Sequence, residues 1–339
     1  MMNINLFTTT PQSVDFEGPD FLNELKKIAR LSEKHGFRGT LIYSDNRLAD
    51  PWTQAALIMN ETKTLLPMVA LQPVYMHPYT VAKKIATLAL LYNRPVAMNL
   101  IAGGFINDLK ALNDNTPHDK RYDRLCEYTE IIQKLLTSSR PVSYDGEFYT
   151  IKNLKLQPEL PSNLLPEYYL SGSSEAAKDT AARLNATLIE YPQPPQAYAG
   201  ENGENARKLV GIRVGVLARK NHKEAWDLAR ERFPNTREGQ LSHILATKVS
   251  DSEWHKTLST QEAGEEQEER EPVYWMGPFK HYQTFCPYLV GDLDEVASEI
   301  RNYIEKGCSL CVLDIPVSEE ELKFTAEAFK RANEMAFAK

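Results

Sequence analysis

The stretch Leu170-Ser-Gly-Ser-Ser-Glu-Ala-Ala-Lys-Asp-Thr-Ala-Ala182 sets Ser171, Gly172, Ser173 and Ser174 between an apolar run and an alanine-rich segment. The run before it predicts a short buried strand. Residues 175–183 are strong helix formers, so Ser173 or Ser174 falls at an N-cap. A helix start offers backbone N–H groups without intrahelical acceptors and the positive end of a dipole, and Gly172 lets a ligand approach the backbone closely. A phosphate fits such a place. An ordinary serine cap, whose own hydroxyl satisfies those donors, fits it as well, and the local pattern leaves the two open.

Other reactive side chains give little organised chemistry. Cys308-Ser-Leu-Cys311 is formally a CxxC, but it lies in an apolar run that reads as a buried strand, not at a helix start where a thiolate would be stabilised. The four cysteines make no disulfide framework in a chain of 339 residues, and the seven histidines form neither HxH nor HExxH, so no metal site is expected. No nucleophile elbow, Walker loop or GxGxxG after the first strand is present. A site lacking its own nucleophile leaves the difficult step to a cofactor.

The elements that must position these groups alternate. Residues 3–7, 39–43, 65–70, 96–101, 168–170, 186–189, 211–217 and 310–315 read as strands. Amphipathic helices are expected over 21–35, 51–60, 81–92, 121–136, 175–184, 222–232 and 293–306. Eight β/α units predict an α/β chain of (β/α)8 TIM-barrel type, with a doubly wound open sheet as the alternative. We expect a single domain over residues 1–339, carrying an inserted hairpin at about 140–152 around Asp145-Gly146 and a mobile acidic loop at about 259–272. With 42% hydrophobic residues the chain can bury a core of that size, and its net charge of −7 argues against nucleic-acid or anionic-membrane partners. No stretch is long and uncharged enough to span a bilayer, and the N-terminus lacks a signal-peptide pattern, so a cytoplasmic protein with small-molecule partners is expected.

Several motifs occur in an order that resembles the luciferase-like flavin-dependent monooxygenases: Val69-Ala-Leu-Gln-Pro73, Met98-Asn-Leu-Ile-Ala-Gly-Gly104, His118-Asp-Lys-Arg-Tyr122, Ser171-Gly-Ser-Ser-Glu-Ala-Ala177, Gly211-Ile-Arg213 and Leu289-Val-Gly-Asp292. Within that family the likeness is greatest to the alkanesulfonate monooxygenases. The resemblance implies a bacterial-luciferase-like barrel that takes reduced FMN from a separate NAD(P)H-dependent flavin reductase. With O2 as co-substrate, it oxygenates a small organic molecule through a C4a-(hydro)peroxyflavin.

By the same resemblance, Gly172, Ser173 and Ser174 hold the flavin phosphate, Tyr122 and His118 line that site, and Asn99 and Gln72 contact the flavin ring, Gln72 beside a strained peptide. Arg213 stands where the family places a catalytic arginine near substrate and peroxide. Structural readings compete for each: an ion pair for Arg213 and Arg121, a loop cap for His118, a buried amide bond for Asn99. A homodimer or homotetramer is expected from the family. A deazaflavin (F420)-dependent dehydrogenase and a non-catalytic flavin-binding subunit are the alternatives on the same fold.

The departures lie on the substrate side. Alkanesulfonate enzymes carry a cysteine before the tryptophan matching Trp52, a histidine at the place of Gly215 and a tyrosine opposite Asp314-Ile315-Pro316. They also carry a histidine near the first strand end, where this chain has Thr8-Thr-Thr-Pro-Gln12. These losses make a simple alkanesulfonate an unsuitable substrate. The shorter acidic connection further suggests room for a larger one, including one tethered to a carrier protein.

Overall fold

The computed structural model describes residues 4–103, 106–198, 210–234, 271–281 and 283–337. Most of the acidic segment expected at about 259–272 therefore lies outside the described residues. The parallel strands are β1 (Asn5–Thr9), β2 (Gly39–Ile42), β3 (Leu66–Leu71), β4 (Ala97–Leu100), β7 (Glu167–Ser171), β8 (Thr187–Glu190), β9 (Gly211–Arg219) and β12 (Leu310–Leu313). In the order β1-β2-β3-β4-β7-β8-β9-β12, with β12 returning to β1, these eight close a parallel barrel. A two-stranded sheet, β5 (Val142–Asp145) with β6 (Thr150–Leu154), stands apart from it.

The chain divides into two compact units. The first, residues 10–30 and 39–188, holds β2, β3, β4 and β7 in parallel register, with Val69 opposite Met98 and Asn99 opposite Tyr169. Its helices are α2 (Pro51–Glu61), α3 (Pro78–Tyr92), α4 (Ile106–Ala111), α5 (His118–Thr137) and α6 (Glu175–Leu184). Every residue of β3 is buried, which is why it reads as an unbroken apolar run and not as an alternating one. Helix α2 begins where Asp50 accepts the Thr53 N–H at 2.8 Å, with Pro51 in the first turn. Helices α3 and α6 end on Asn93 and Asn185 in the left-handed region, at φ 49° and 52°.

The second unit, residues 1–9, 31–38 and 189–339, contains β1, β9 and β12, together with α7 (His222–Arg232), β10 (Tyr274–Trp275), α8 (Gly277–Lys280), β11 (Tyr288–Asp292), α9 (Leu293–Glu305) and α10 (Glu319–Phe337). Sequence reading placed the first strand at residues 3–7. It runs two residues further because Thr8 and Thr9 find buried partners, Thr8 Oγ1 at 2.9 Å from Ser32 Oγ and Thr9 Oγ1 donating to the Leu313 carbonyl. The eight strand candidates also omitted β11, which pairs in parallel with the second half of β9 and sets Tyr288 opposite Gly215. Helix α10 was not foreseen either. A capping box starts α9, with Asp292 accepting from Glu295 N–H and the Glu295 carboxylate accepting from Asp292 N–H.

The hairpin is tied to α5 by one carboxylate. Glu127 Oε1 accepts the Glu147 N–H at 2.8 Å, and its Oε2 accepts those of Phe148 and Tyr149 at 2.9 and 3.2 Å. Gly146 suits this wrap, because a Cβ there would press on the Glu127 carboxylate and the Tyr144 ring and push the carboxylate aside. Replacing Glu127 by Ala should lower stability in urea unfolding by about 1–3 kcal/mol, the scale of hydrogen bonds to a charged acceptor. A midpoint unchanged from wild type would show that the hairpin is held by other contacts.

Candidate active site

The expected phosphate site is built on the start of α6. Ser174 is its N-cap, and the Ser174 Oγ accepts the Ala177 N–H at 3.2 Å. This uses one of the donors of the first turn and leaves the earlier ones without an intrahelical acceptor. Gly172 faces Tyr122 on α5: a Cβ at Gly172 would lie 3.3 Å from the Tyr122 hydroxyl and 2.7 Å from the Ala177 Cβ. The space over the Gly172 backbone is thus bounded by a phenol and a helix start, and any side chain at 172 would fill it. Ser173 is half-buried beside it.

His118 opens α5 and stands one turn before Tyr122, with ring centroids 5.4 Å apart and edge-to-face. It is the first residue of the helix, whose N-cap is Pro117, and its Nδ1 lies 2.8 Å from Asp119 Oδ1. The turn leading into α5 is latched by Asp114. Its Oδ1 accepts the N–H and hydroxyl of Thr116, and its Oδ2 accepts Arg124 Nη2 at 2.6 Å. Sequence reading missed this latch, since a carboxylate ten residues from its arginine matches no helical spacing. Arg121, for which an ion pair was an open reading, is buried on α5 with 2% exposure.

Asn99, 3% exposed at the end of β4, accepts the Ser171 hydroxyl at 2.9 Å on its Oδ1. That bond fixes which way the amide points and leaves its N–H groups as the donors available to a ligand. Ser171 is therefore an orienting residue that the sequence did not single out. Gln72 follows β3, and its Nε2 donates to the Ser44 carbonyl at 3.0 Å, tying two strand-end loops together. Neither a cis bond nor a positive φ marks Gln72; among the described residues the cis peptide is Gln157–Pro158.

Tyr75 was also missed. Its hydroxyl donates to Asn46 Oδ1 at 2.8 Å, and it is pushed up to about 12 by burial and then by Asp108 and Asp45. Trp52 is a core residue at 3% exposure, and His77 is a helix cap whose Nδ1 accepts the Tyr79 N–H.

Arg213 lies in the other unit, on β9, 7% exposed and opposite Val312. Its Nη2 is 3.8 Å from Asp314 Oδ1. Asp314 Oδ2 accepts two hydroxyls, Tyr288 at 2.8 Å and Thr284. The Tyr288 ring occupies the space above Gly215, where a Cβ would meet the ring at 2.2 Å. Burial, followed by the Asp314 charge, holds the Tyr288 hydroxyl well above its ordinary range, so it stays a neutral donor. Cys286 bonds to the Arg213 side chain, and burial followed by Asp314 raises its thiol far above the thiolate range. Arg232 completes the wall, donating to both Glu321 oxygens at 3.0 and 2.9 Å and to the Ile315 carbonyl, with the Tyr288 ring 5.7 Å away. Cys308 and Cys311 are buried free thiols raised by desolvation, Cys308 up to about 12. Among the described residues no group of three metal-ligating side chains converges, and no helix is long and apolar enough to cross a membrane.

Comparison with known proteins gives this geometry a context. A family model described as luciferase-like monooxygenase matches residues 2–310. The 4-(gamma-L-glutamylamino)butanoyl-[BtrI acyl-carrier protein] monooxygenase BtrO of Niallia circulans is 32% identical over 306 residues, covering 89% of each chain. The crystal structure of the long-chain alkane monooxygenase LadA superposes with a TM-score of 0.75 at 18% identity, covering 99% of this chain and 92% of that one. An F420-dependent secondary alcohol dehydrogenase shares the fold at a TM-score of 0.67 and 17% identity, covering 98% and 99%.

The Asp114 latch yields a prediction about acid stability. Burial alone would raise its carboxyl, but the bonds from Arg124 and Thr116 outweigh burial and hold it below the usual range. A depressed folded-state value means that the ionised form stabilises the fold above the unfolded value, near pH 4 for a free Asp, and that this contribution fades as pH falls through the folded value. Asp114→Asn should therefore lower Tm at pH 7 and converge with wild type as the pH falls through the depressed folded-state value of Asp114. A Tm difference that stays constant over that range would place the effect elsewhere.

Proposed function

The chain belongs to the luciferase-like monooxygenase family and is a flavin-dependent monooxygenase, and we propose that it oxygenates an acyl group carried on a carrier protein, using reduced FMN supplied by a separate NAD(P)H-dependent flavin reductase. The observation that carries the cofactor reading is the cradle at α6: a helix start, a glycine whose Cβ would fill the space, and the Tyr122 hydroxyl 3.3 Å from where that Cβ would stand. In this reading Gly172, Ser173 and Ser174 hold the phosphate through backbone and hydroxyl donors, and Tyr122 adds a further hydrogen bond. His118 packs against the Tyr122 ring and limits its rotation. Asn99, oriented by Ser171, presents its amide donors to the flavin ring, and Gln72 fixes the loop beside it.

When bound, reduced flavin supplies the two electrons that place one atom of O2 in the substrate and release the other as water. The protein's part is to bind, orient and keep water away, which suits a site whose tyrosines and thiols are held in their neutral forms. Arg213 keeps its charge at any working pH and donates to an anionic group of the substrate or to a developing oxyanion.

The substrate is not a simple alkanesulfonate in this reading. Asp314 stands 3.8 Å from Arg213, in the segment where those enzymes carry a tyrosine, so the substrate-side groups differ from theirs. The carrier-bound substrate named for the Niallia circulans relative, at 32% identity over most of both chains, supports a tethered acyl group. The deazaflavin dehydrogenase shares only the fold, and the family match favours oxygen chemistry.

Anaerobic titration should show reduced FMN binding more tightly than oxidised FMN. Tyr122→Phe should weaken binding about tenfold and Gly172→Ala more, as expected for losing one charge-assisted bond and for filling the cradle. With isotope-labelled O2 and a flavin reductase, carrier-tethered acyl groups should gain one labelled oxygen atom and their free acids little. Equal affinity for the two flavin states, unaffected by either variant, would sink the cofactor reading. Equal labelling of free and tethered substrates would sink the carrier reading alone.

A further inference from the structure

Three strand-end loops of the first unit are tied together through one asparagine. In the loop after β2, the Ser44 carbonyl accepts from Gln72 Nε2 at 3.0 Å, and two residues further on Asn46 Oδ1 accepts the Tyr75 hydroxyl at 2.8 Å. Gln72 and Tyr75 are joined by a turn of their own, the Tyr75 N–H donating to the Gln72 carbonyl at 3.3 Å. Residues 44, 72, 75 and 46 thus close a hydrogen-bonded ring between the loops after β2 and β3. The other end of the Asn46 amide leaves that ring: Nδ2 donates at 3.0 Å to the carbonyl of Asp108 on α4, the helix that follows β4. The backbone around Asn46 is held as well, since Asp45 Oδ1 accepts the N–H groups of Arg47 and Leu48 at 2.7 and 3.0 Å.

Asn46 is exposed, and hydrogen bonds in contact with water add little to global stability. Their effect is local, because they select one arrangement of loops whose opening takes far less free energy than unfolding. These loops stand at the C-terminal ends of the strands, where a parallel barrel binds its ligands. We propose that Asn46 is a positioning residue for the flavin, its amide bracing the loops after β2, β3 and β4 so that Gln72 is in place at the ring before the flavin arrives. This rests on the reduced-FMN reading above and adds to it a residue that acts through Gln72. The role needs an amide, which accepts at one end and donates at the other. A carboxylate of the same shape would keep the Tyr75 bond and repel the Asp108 carbonyl.

That difference supplies a test with a proton as its switch. The charged and titratable groups set around the amide are Tyr75 on the β3 loop, Asp45 and Arg47 on its own loop and Asp108 on α4. A carboxyl introduced at 46 joins two others, and like charges make it take up a proton more readily than a free Asp does. Once protonated it again accepts at one end and donates at the other, and the bridge is restored. Dissociation constants for reduced FMN are measured anaerobically on the full chain, between about pH 8 and about pH 5, the ordinary carboxyl value lying near 4. Asn46→Ala should bind about fivefold more weakly than wild type at every pH, the scale of two exposed hydrogen bonds acting on the binding-competent fraction. Asn46→Asp should be weakened at least as much near pH 8, and its gap from wild type should narrow as the pH is lowered. Tm in the absence of flavin should stay close to wild type for both variants, and Tyr75→Phe, which removes one end of the bridge, should weaken binding about twofold.

An Asn46→Ala protein that binds reduced FMN like wild type would overturn the proposal, even if Asn46→Asp is weakened, since the loss would then be one of added charge. A gap for Asn46→Asp that ignores pH would overturn it too, as would weakening that follows a matching fall in Tm. Failure of wild type itself to bind reduced FMN would sink the flavin reading and the proposal with it, whereas wild-type binding left untouched by these variants would sink the proposal alone.

Discussion

Strand β9 is buried along all nine of its residues, yet it carries Arg213 and Arg219, with 7% and 5% of each exposed. A guanidinium cannot discharge itself inside a protein, so each must be met by acceptors or by aromatic faces brought from elsewhere in the chain. Arg219 donates to the Ala218 carbonyl and lies 5.4 Å from the Phe324 ring of α10. Arg213 requires Asp314 at the end of β12, and Asp314 in turn requires the hydroxyls that β11 and the segment before it deliver. Strand β11 and the last helix thus each supply part of the surroundings of the β9 arginines, β11 through Tyr288 on Asp314 and α10 through the Phe324 ring.

In the other unit the organising feature is a helix start that carries its own cap. Ser174 illustrates how the ordinary and the functional readings of a helix start coexist. Its hydroxyl does cap the helix, as the bland reading of a serine there requires, but it consumes only the Ala177 N–H. Next to it, Gly172 leaves open a space bounded by the Tyr122 hydroxyl and the Ala177 methyl. The cap at Ser174 and the open backbone at Gly172 thus sit side by side at one helix start.

The parts of the fold that were legible in the sequence are those with a local cause. Strand β3 announces itself as an apolar run, the hairpin by Asp145-Gly146, and the start of α6 by serines ahead of alanines. Strand β11 escaped because its five residues end in a glycine and an aspartate that the capping box needs, and its apolar part is too short to stand out. Helix α10 escaped although it is amphipathic, because it opens on three glutamates that look like a solvated charge run. At the candidate site, motif order located Tyr122, Asn99 and Gly172. Their neighbours Ser171, Asp114 and Arg124 are set by contacts that no spacing rule reveals.

The ring of Tyr288 standing in the place of a side chain at 215 also bears on how this chain can change. A residue with a Cβ at 215 is admitted only after the ring withdraws, and withdrawing the ring strips Asp314 of one of its two hydroxyl donors. Positions 215, 288 and 314 therefore form an epistatic set, in which single replacements are penalised and only concerted ones are tolerated. A change of residue at 215 therefore carries its cost to the Asp314 carboxylate, two contacts away.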